Sequence, residues 1–412
     1  MKILNIICDM QDNGLTPNAV KRLEEQGYSI DVWQFGTSDL DSNERYFAEA
    51  LNVLNDCSLA IIRVHAGLTY FKKFDRLKDA LLSKNVPLII QSELPEDVRE
   101  YRYMFTGSEE DYVTIRSYIE LGGIDNEYNL LAWLIRDVEG SDIKVSAPSR
   151  HPAQGLYMPN TGDVDEIETK DLNVAVLFNQ NNVVNNNTAH IDALISELAD
   201  RGVGVIPIYL TPNPSEILGS IGINETIRKY LSGDIRRTLG SVVLALPFSQ
   251  LCLSDPGDGT ERDRENIFNE LGVPVIQAVT MFNSAEGWRA DSSGLGPYEL
   301  SMSIFWPEYD GQIISVPLAS SERSPEGRIV SMPIDDRVKA IADLAVNWAR
   351  LKITPVKERK IAVLLHQNPP RADMIGGAFA LDAPESTARL LREMRKRGYV
   401  TGNMPSTGKG LT

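Results

Sequence analysis

The chain is poor in the residues that usually anchor metals and disulfides, with three cysteines and four histidines in 412 residues. Cys8, Cys57 and Cys252 are odd in number, far apart and without a C-x-x-C spacing. That usage fits a reduced compartment and excludes a disulfide framework and a cysteine zinc site. No two histidines fall three or four residues apart, so a metal pair on one helix face is excluded too. Long apolar runs are missing. "MKILNIICDMQD" offers about six apolar residues before Asp9, short of a signal core or a spanning helix. A soluble, cytoplasmic protein with no membrane span is the expectation. Positive charge is in deficit, since 41 Lys plus Arg against 57 Asp plus Glu leaves a formal charge of −16. Such a field repels phosphate backbones and argues against nucleic acid as a partner. Phosphate-gripping loops are lacking as well: "GGIDNE" and "DPGDGTERD" have neither the spacing nor the lysine of a P-loop, and no G-x-G-x-x-G follows a strand. No prosthetic cofactor is expected.

What is present is a succession of short, β-branched apolar runs, each followed by a stretch of helical period. "KILNIICD", "CSLAIIRVH" and "VPLIIQS" read as strands, with "TPNAVKRLEEQG" and "FDRLKDALLSKN" as helices. The pattern is that of parallel strands with crossover helices, and the length asks for more than one core. The fold class expected is α/β and multidomain, built of flavodoxin-like or Rossmann-like parallel-sheet units, the last of them incomplete. A flavodoxin-like unit is expected over residues 1–145 and a Pro- and Gly-rich linker over 146–172. A second α/β unit over 173–355 opens at "LNVAVLFNQ", and a third over 356–412 opens with a strand at "KIAVLLHQNPP". That third unit stops before it can complete a sheet, as expected of a piece of a longer chain. The three openings are alike, but any βαβ unit produces that likeness.

From Gly155 onward several stretches in order resemble one known family. They are "GLYMP", "VAVLFNQNNVVNNNTAHIDALISELADRGVGVIPIYL", "ELGVPVIQAVTMFNSAEGWRADSSGLGPYELSMSIFWPEYDGQIISVPL" and "RKIAVLLHQNPPRADMIGGAFALDAPESTARLLREMRKRGY". Together they resemble the large subunit of the cobaltochelatases and magnesium chelatases. The resemblance implies a tetrapyrrole-binding and metal-handling subunit, with cobalt or magnesium as the substrate ion. It further implies AAA+ ATPase and integrin-domain partner subunits that hydrolyse ATP, a division of labour that a chain without a P-loop suits. The expected reaction is cobalt insertion into a corrinoid precursor. Magnesium insertion into protoporphyrin IX, a non-catalytic tetrapyrrole-binding module and a generic small-anion module are the alternatives.

Metal insertion strips water from an ion and removes two protons from pyrrole nitrogens, and carboxylates serve both steps. In "SMSIFWPEYDGQ" the resemblance makes Glu308 the candidate catalytic and metal-handling acid, beside Phe305 and Trp306. There an apolar wall would raise its pKa, and Trp306 would stack on the ring. Asp310 and Gly311 read instead as a strand-ending turn, Asp310 bonding its own backbone. His65 and His366 end predicted strands, where open α/β sheets bind ligands, and are candidate substrate contacts. His190 reads as a helix-surface residue. Asn181 and Asn182, within "FNQNNVVNNNTAH", are candidates for hydrogen bonds to carboxylate arms, against plain helix capping by Asn187 or Thr188. Arg371 offers a fork for a carboxylate.

Overall fold

The structure, a computed structural model, describes residues 1–8, 14–64, 67–216, 218–250, 267–323, 329–366, 376–378 and 380–411. Its first sheet contains β1 (Lys2–Ile7), β2 (Asp31–Gly36), β3 (Leu59–Arg63) and β4 (Leu88–Gln91), all parallel, in the order β2-β1-β3-β4. β1 is central because "KILNII" is apolar on both faces, and five of its six residues are buried. Helices cover both faces. One core gathers Ile3, Ile61 and Ile89 under the helices Leu15–Glu24, Glu109–Leu121 and Ile124–Glu139; the other gathers Leu4, Ile62 and Ile90 under Glu44–Val53 and Phe74–Ser83.

The second sheet begins earlier than the sequence suggests. Within the stretch read as a linker, β5 (Gln154–Met158) and β6 (Gly162–Val164) form an antiparallel hairpin. β5 also pairs antiparallel with β8 (Gly204–Leu210), which leaves β6 at the sheet edge; the prolines that suggested a linker, Pro148, Pro152 and Pro159, lie in the hairpin's flank and turn, and Gly155 and Gly162 lie in its strands. β7 (Asn173–Asn179) and β8 are parallel, and a two-residue hairpin, β9 (Pro214–Ser215) with β10 (Ser220–Ile221), follows them. β11 (Leu239–Ala245), β12 (Val275–Thr280), β13 (Ile313–Arg323) and β14 (Ile329–Pro333) complete an eight-stranded sheet, in the order β14-β13-β12-β11-β7-β8-β5-β6. Its five central strands are parallel, and each end carries an antiparallel hairpin.

Taken in chain order, those five strands repeat the 2-1-3-4 sequence of the first sheet and add a fifth. The strand order of each sheet therefore reverses beside its first parallel strand, β1 or β7. Helices Ala189–Asp200 and Asp335–Ile353 cover one face over Val176, Phe178, Val243 and Ile276, and Arg201 ties them by bonding both Glu197 and Asp343. Helix Gly222–Tyr230 covers the other, over Leu177, Ile208 and Leu244.

The strand expected at "KIAVLLHQ" does not form. Residues 361–366 pair with no strand and are exposed, Leu364 at 92%, because no neighbouring strand among the described residues lies alongside. The helix expected after it does form, Ala383–Lys396, preceded by the small hairpin β15 (Gly377–Ala378) and β16 (Leu381–Asp382). Asp382 caps that helix by accepting the Glu385 N–H at 2.9 Å. Among the described residues no helix is long and apolar enough to cross a membrane.

Candidate functional site

Two cavities open at the carboxyl ends of the sheets. The first, about 480 Å³, lies between the sheets, with Ile7, Gln34, Arg63 and Gln91 at the strand ends of one and Asn179 and Thr211 at those of the other. The two units touch at its edge. Gly123, at φ +86°, leads into the helix Ile124–Glu139, and a Cβ there would lie 2.7 Å from Val184 Cγ1, so glycine is required by both conformation and space.

The floor of this cavity is ionic. Arg63 ends β3 and donates to both carboxylate oxygens of Glu127 at 2.8 and 3.1 Å, with both side chains nearly buried. The Thr16 hydroxyl donates to Glu127 at 2.5 Å, and Asn5 donates to Thr16 and Gln34 at 3.0 and 2.9 Å. Glu127 reaches the pair because it sits on the apolar face of its helix, one turn before Leu130 and Leu131. Arg150 and His151 also line the cavity, and His151 Nε2 lies 3.2 Å from Asp163.

The second cavity, about 590 Å³, sits at the carboxyl ends of β7, β11 and β12, where the strand order reverses. Among the described residues its lining has no lysine, arginine, aspartate or glutamate. Asn179, Asn181, Asn182, Asn185 and Asn187 form one side, Gln277 and His190 the interior, and Phe282 and Tyr298 the rim. His190 is not on the helix surface as expected. It is 2% exposed, and burial pulls its pKa down to about 4, against a hydrogen bond to the Ser331 backbone that raises it. Its Nδ1 is buried without a hydrogen-bond partner. Gln277 donates to the Leu246 carbonyl at 2.9 Å while its own Oε1 is unpartnered. Nearby, burial pushes the Tyr157 hydroxyl up to about 12, and that hydroxyl bonds Asp192 at 2.8 Å and Thr188 at 3.1 Å.

The residues singled out from sequence fall in several places. Asn181 and Asn182 both line the second cavity, Asn181 exposed and Asn182 half-buried. Capping accounts for only part of the asparagine run. Asn179 caps the short helix Gln180–Val184 by accepting from Asn181 N at 2.9 Å, whereas Asn187 accepts from Ser331 N at 2.9 Å, and Thr188 makes no capping bond. Trp306 is 38% exposed and lies against Phe248, with ring centroids 5.6 Å apart. Glu308 is exposed, lines neither cavity and lacks the apolar enclosure expected for its carboxyl. His366 is exposed and likewise lines neither. His65 and Arg371 lie outside the described residues. Among the described residues no three acids, histidines or cysteines stand close enough to hold a metal ion together.

"SMSIFWPEYDGQ" is helical and not the end of a strand. Pro297–Leu300 and Trp306–Tyr309 are short α-helices on either side of one π turn, Ser301–Phe305. Gly311 does take positive φ, +80°, but Asp310 turns away from its own backbone and accepts from Ser249 and Gln250. Sequence reasoning missed Arg63, Glu127, Glu299 and Phe248. A lone arginine inside "LAIIRV" and a glutamate at helical spacing with buried leucines are signals that find the first two.

Residues 116–412 match the family model described as CobN/Magnesium Chelatase. An uncharacterized protein of Methanocaldococcus jannaschii is 29% identical over 422 residues, covering 97% of this chain and 33% of that protein. The aerobic cobaltochelatase subunit CobN of a Sinorhizobium species is 26% identical over 378 residues, 86% of this chain and 28% of that protein. Among solved structures, the catalytic subunit of cobaltochelatase from Mycobacterium tuberculosis superposes with a TM-score of 0.69 at 21% identity, over 99% of this chain and 32% of that one. The shared fold thus extends over both sheets, and the chain spans about a third of the length of the relatives it matches.

Proposed function

Because the chain belongs to the CobN/magnesium chelatase family, we propose that it supplies the ring-holding part of a metal-inserting enzyme that puts cobalt into a corrinoid precursor in the cytoplasm. The observation that carries this reading is the second cavity. Its described lining is uncharged and largely apolar, it is rimmed by aromatic residues, and it lies where the strand order of the sheet reverses. A large conjugated ring is uncharged at its centre and pays little desolvation on entering such a space, while the amides of Asn181 and Asn182 meet polar arms at the edge. Its volume, about 590 Å³, is in the range of pockets that hold small cofactors and drugs.

The exposed Glu308, one residue beyond Pro307 from Trp306, is the acid we assign to handling the incoming ion and the departing pyrrole protons. His366 and the residues His65 and Arg371 complete the proposed ring contacts. ATP hydrolysis falls to partner subunits of the AAA+ and integrin-domain kinds, since this chain has no P-loop.

The test is a titration of the chain with a metal-free corrinoid and with protoporphyrin IX, read by the Soret band and by tryptophan quenching, on wild type and Glu308→Ala. Saturable binding of the corrinoid by both proteins, with cobalt uptake lost only in the variant, is the expected result. Preference for protoporphyrin with magnesium would reassign the substrate within the family, and absence of binding to either ring would sink the reading.

A further inference from the structure

Between Gly296 and Gln312 the chain carries two buried carboxylates, one near each end of the helical stretch described above. Glu299, 3% exposed, accepts the Phe282 N–H at 2.6 Å and the Gly296 N–H at 2.8 Å. Asp310, 2% exposed, accepts the Ser249 hydroxyl at 2.5 Å, the Gln250 N–H at 2.6 Å and the Gln312 amide at 3.4 Å. These are neutral donors holding a buried charge, which is costly to maintain where a turn alone would be satisfied by an amide or a hydroxyl.

What the two acids share is their reach. Each leaves its own segment to pin the loop after a central strand: Asp310 the loop after β11, Glu299 the loop after β12. In each loop the pinned stretch presents an aromatic ring to an aromatic ring of the segment. Phe248 meets Trp306 at 5.6 Å and 48°, and Phe282 meets Tyr298 at 6.1 Å and 42°. Phe248 is held at φ +67°, a left-handed conformation that strains a bulky side chain, and its N–H donates to the Met302 carbonyl at 2.7 Å. Met302 belongs to the π turn, a widening found frequently at functional positions. Of this assembly Pro247, Phe282, Tyr298 and Ser303 of the π turn line the second cavity, while the Phe248–Trp306 pair stands outside that lining, next in sequence to Pro247.

We infer that Asp310 and Glu299 are positioning residues that hold two aromatic pairs, Phe248–Trp306 and Phe282–Tyr298, as the walls against which a flat conjugated ring seats. The inference rests on the ring-binding reading above and adds the residues that build the wall. Asp310 grips the two residues that follow Phe248, so it fixes the strained backbone whose release would swing the phenyl ring away from Trp306.

A double-mutant cycle in the full chain tests this, read by protoporphyrin IX and corrinoid affinity, with the thermal midpoint of each variant measured alongside. Phe248→Ala and Asp310→Ala are each expected to raise Kd about tenfold, the worth of one aromatic stacking contact. The double variant is expected to lose about the same tenfold, since a residue acting through Phe248 has nothing left to position. Asp310→Asn, whose amide oxygen still accepts one N–H, is expected to fall between. Trp306→Ala and Tyr298→Ala alter half-exposed rings and leave the core intact, so they test the wall even where Asp310→Ala folds poorly. Losses that multiply in the double variant overturn the positioning role, and unchanged affinity in both ring variants overturns the wall. A wild type that binds neither ring brings down the ring-binding reading and this inference together, a result distinct from binding that ignores the variants.

Discussion

The two sheets share the 2-1-3-4 strand order and place their carboxyl ends toward a common cleft, yet they furnish those ends with opposite chemistry. At the first, an ion pair between Arg63 and Glu127 is buried beneath a layer of Thr16, Gln34 and Asn5. At the second, neutral amides, one deprotonated histidine and aromatic rings surround a cavity with no charged side chain among the described residues. Strand order alone makes a crevice in both places, and the side chains decide what can enter it. An uncharged ring entering the first cavity would strip water from the exposed Glu93, Glu120 and Arg150 of its lining without replacing it, whereas the amide-lined cavity presents no charge to desolvate among the described residues. Asn179, Asn181 and Asn185 line both cavities, so the asparagine run is the seam between the two environments.

The largest effect should come from breaking the ionic side of this comparison. Glu127→Ala leaves Arg63 buried without its partner and is expected to destabilise the first unit by about 3–5 kcal/mol. Urea unfolding checks it, and a change below about 1 kcal/mol would mean that the pair behaves as a solvated surface bridge and that the two strand-end environments are less different than described. Replacing the pair with two apolar residues of similar volume should restore most of the loss.

On the neutral side the sharpest probe is pH. His190 has a folded pKa of about 4 against an ordinary value of 6.5, so between those values only the unfolded chain takes up the proton. Stability is therefore complete above pH 6.5 and declines as pH falls toward 4, by about 3 kcal/mol in all. Comparing urea midpoints at pH 7.5 and 4.5 for wild type and His190→Leu isolates this increment. If the variant keeps the full pH dependence, the histidine is not the buried neutral group that defines its cavity.

A smaller effect is expected where the two regions touch. Gly123→Ala imposes a left-handed conformation on alanine and a contact with Val184, and should lower stability by about 1–3 kcal/mol. Small-angle scattering should show whether the units separate. If the scattering curve is unchanged and the loss is below about 0.5 kcal/mol, the contact does not set their spacing.

Much of this architecture was legible from sequence, for a physical reason. Strands such as "NVAVLFN" and "LGSVVLA" are buried on both faces, so their apolar runs announce a parallel sheet without help from distant residues. The antiparallel hairpin at Gln154–Val164 was missed because an edge strand with one half-buried face carries little apolar signal, and its pairing with β8 is made some fifty residues later in the chain. "KIAVLLHQ" failed for the opposite reason, since its apolar run is plain but a strand requires a neighbour. At the candidate site the asparagine run could be read from residue type and neighbourhood, whereas Trp306 falls outside the lining of both cavities. His190 could not, because its burial depends on β14 closing over it from more than a hundred residues away. Asp310 was read correctly as structural and wrongly as local, since hydrogen bonds to Ser249 and Gln250 span about sixty positions that no turn rule covers.

The placement of β5 has a consequence for how the protein is made. This strand leaves the ribosome before β7, yet its partner in the sheet is β8, whose last residue follows Met158 by 52 positions. β6 follows within a few residues and can pair one edge of β5, but at a synthesis rate of roughly 5–20 residues per second the edge that β8 will cover waits for roughly 3–10 seconds with its backbone donors and acceptors open to any other strand. Translation speed between Met158 and Leu210 thus becomes a determinant of yield: a slow codon stretch placed there lengthens the vulnerable interval, and a fast one shortens it.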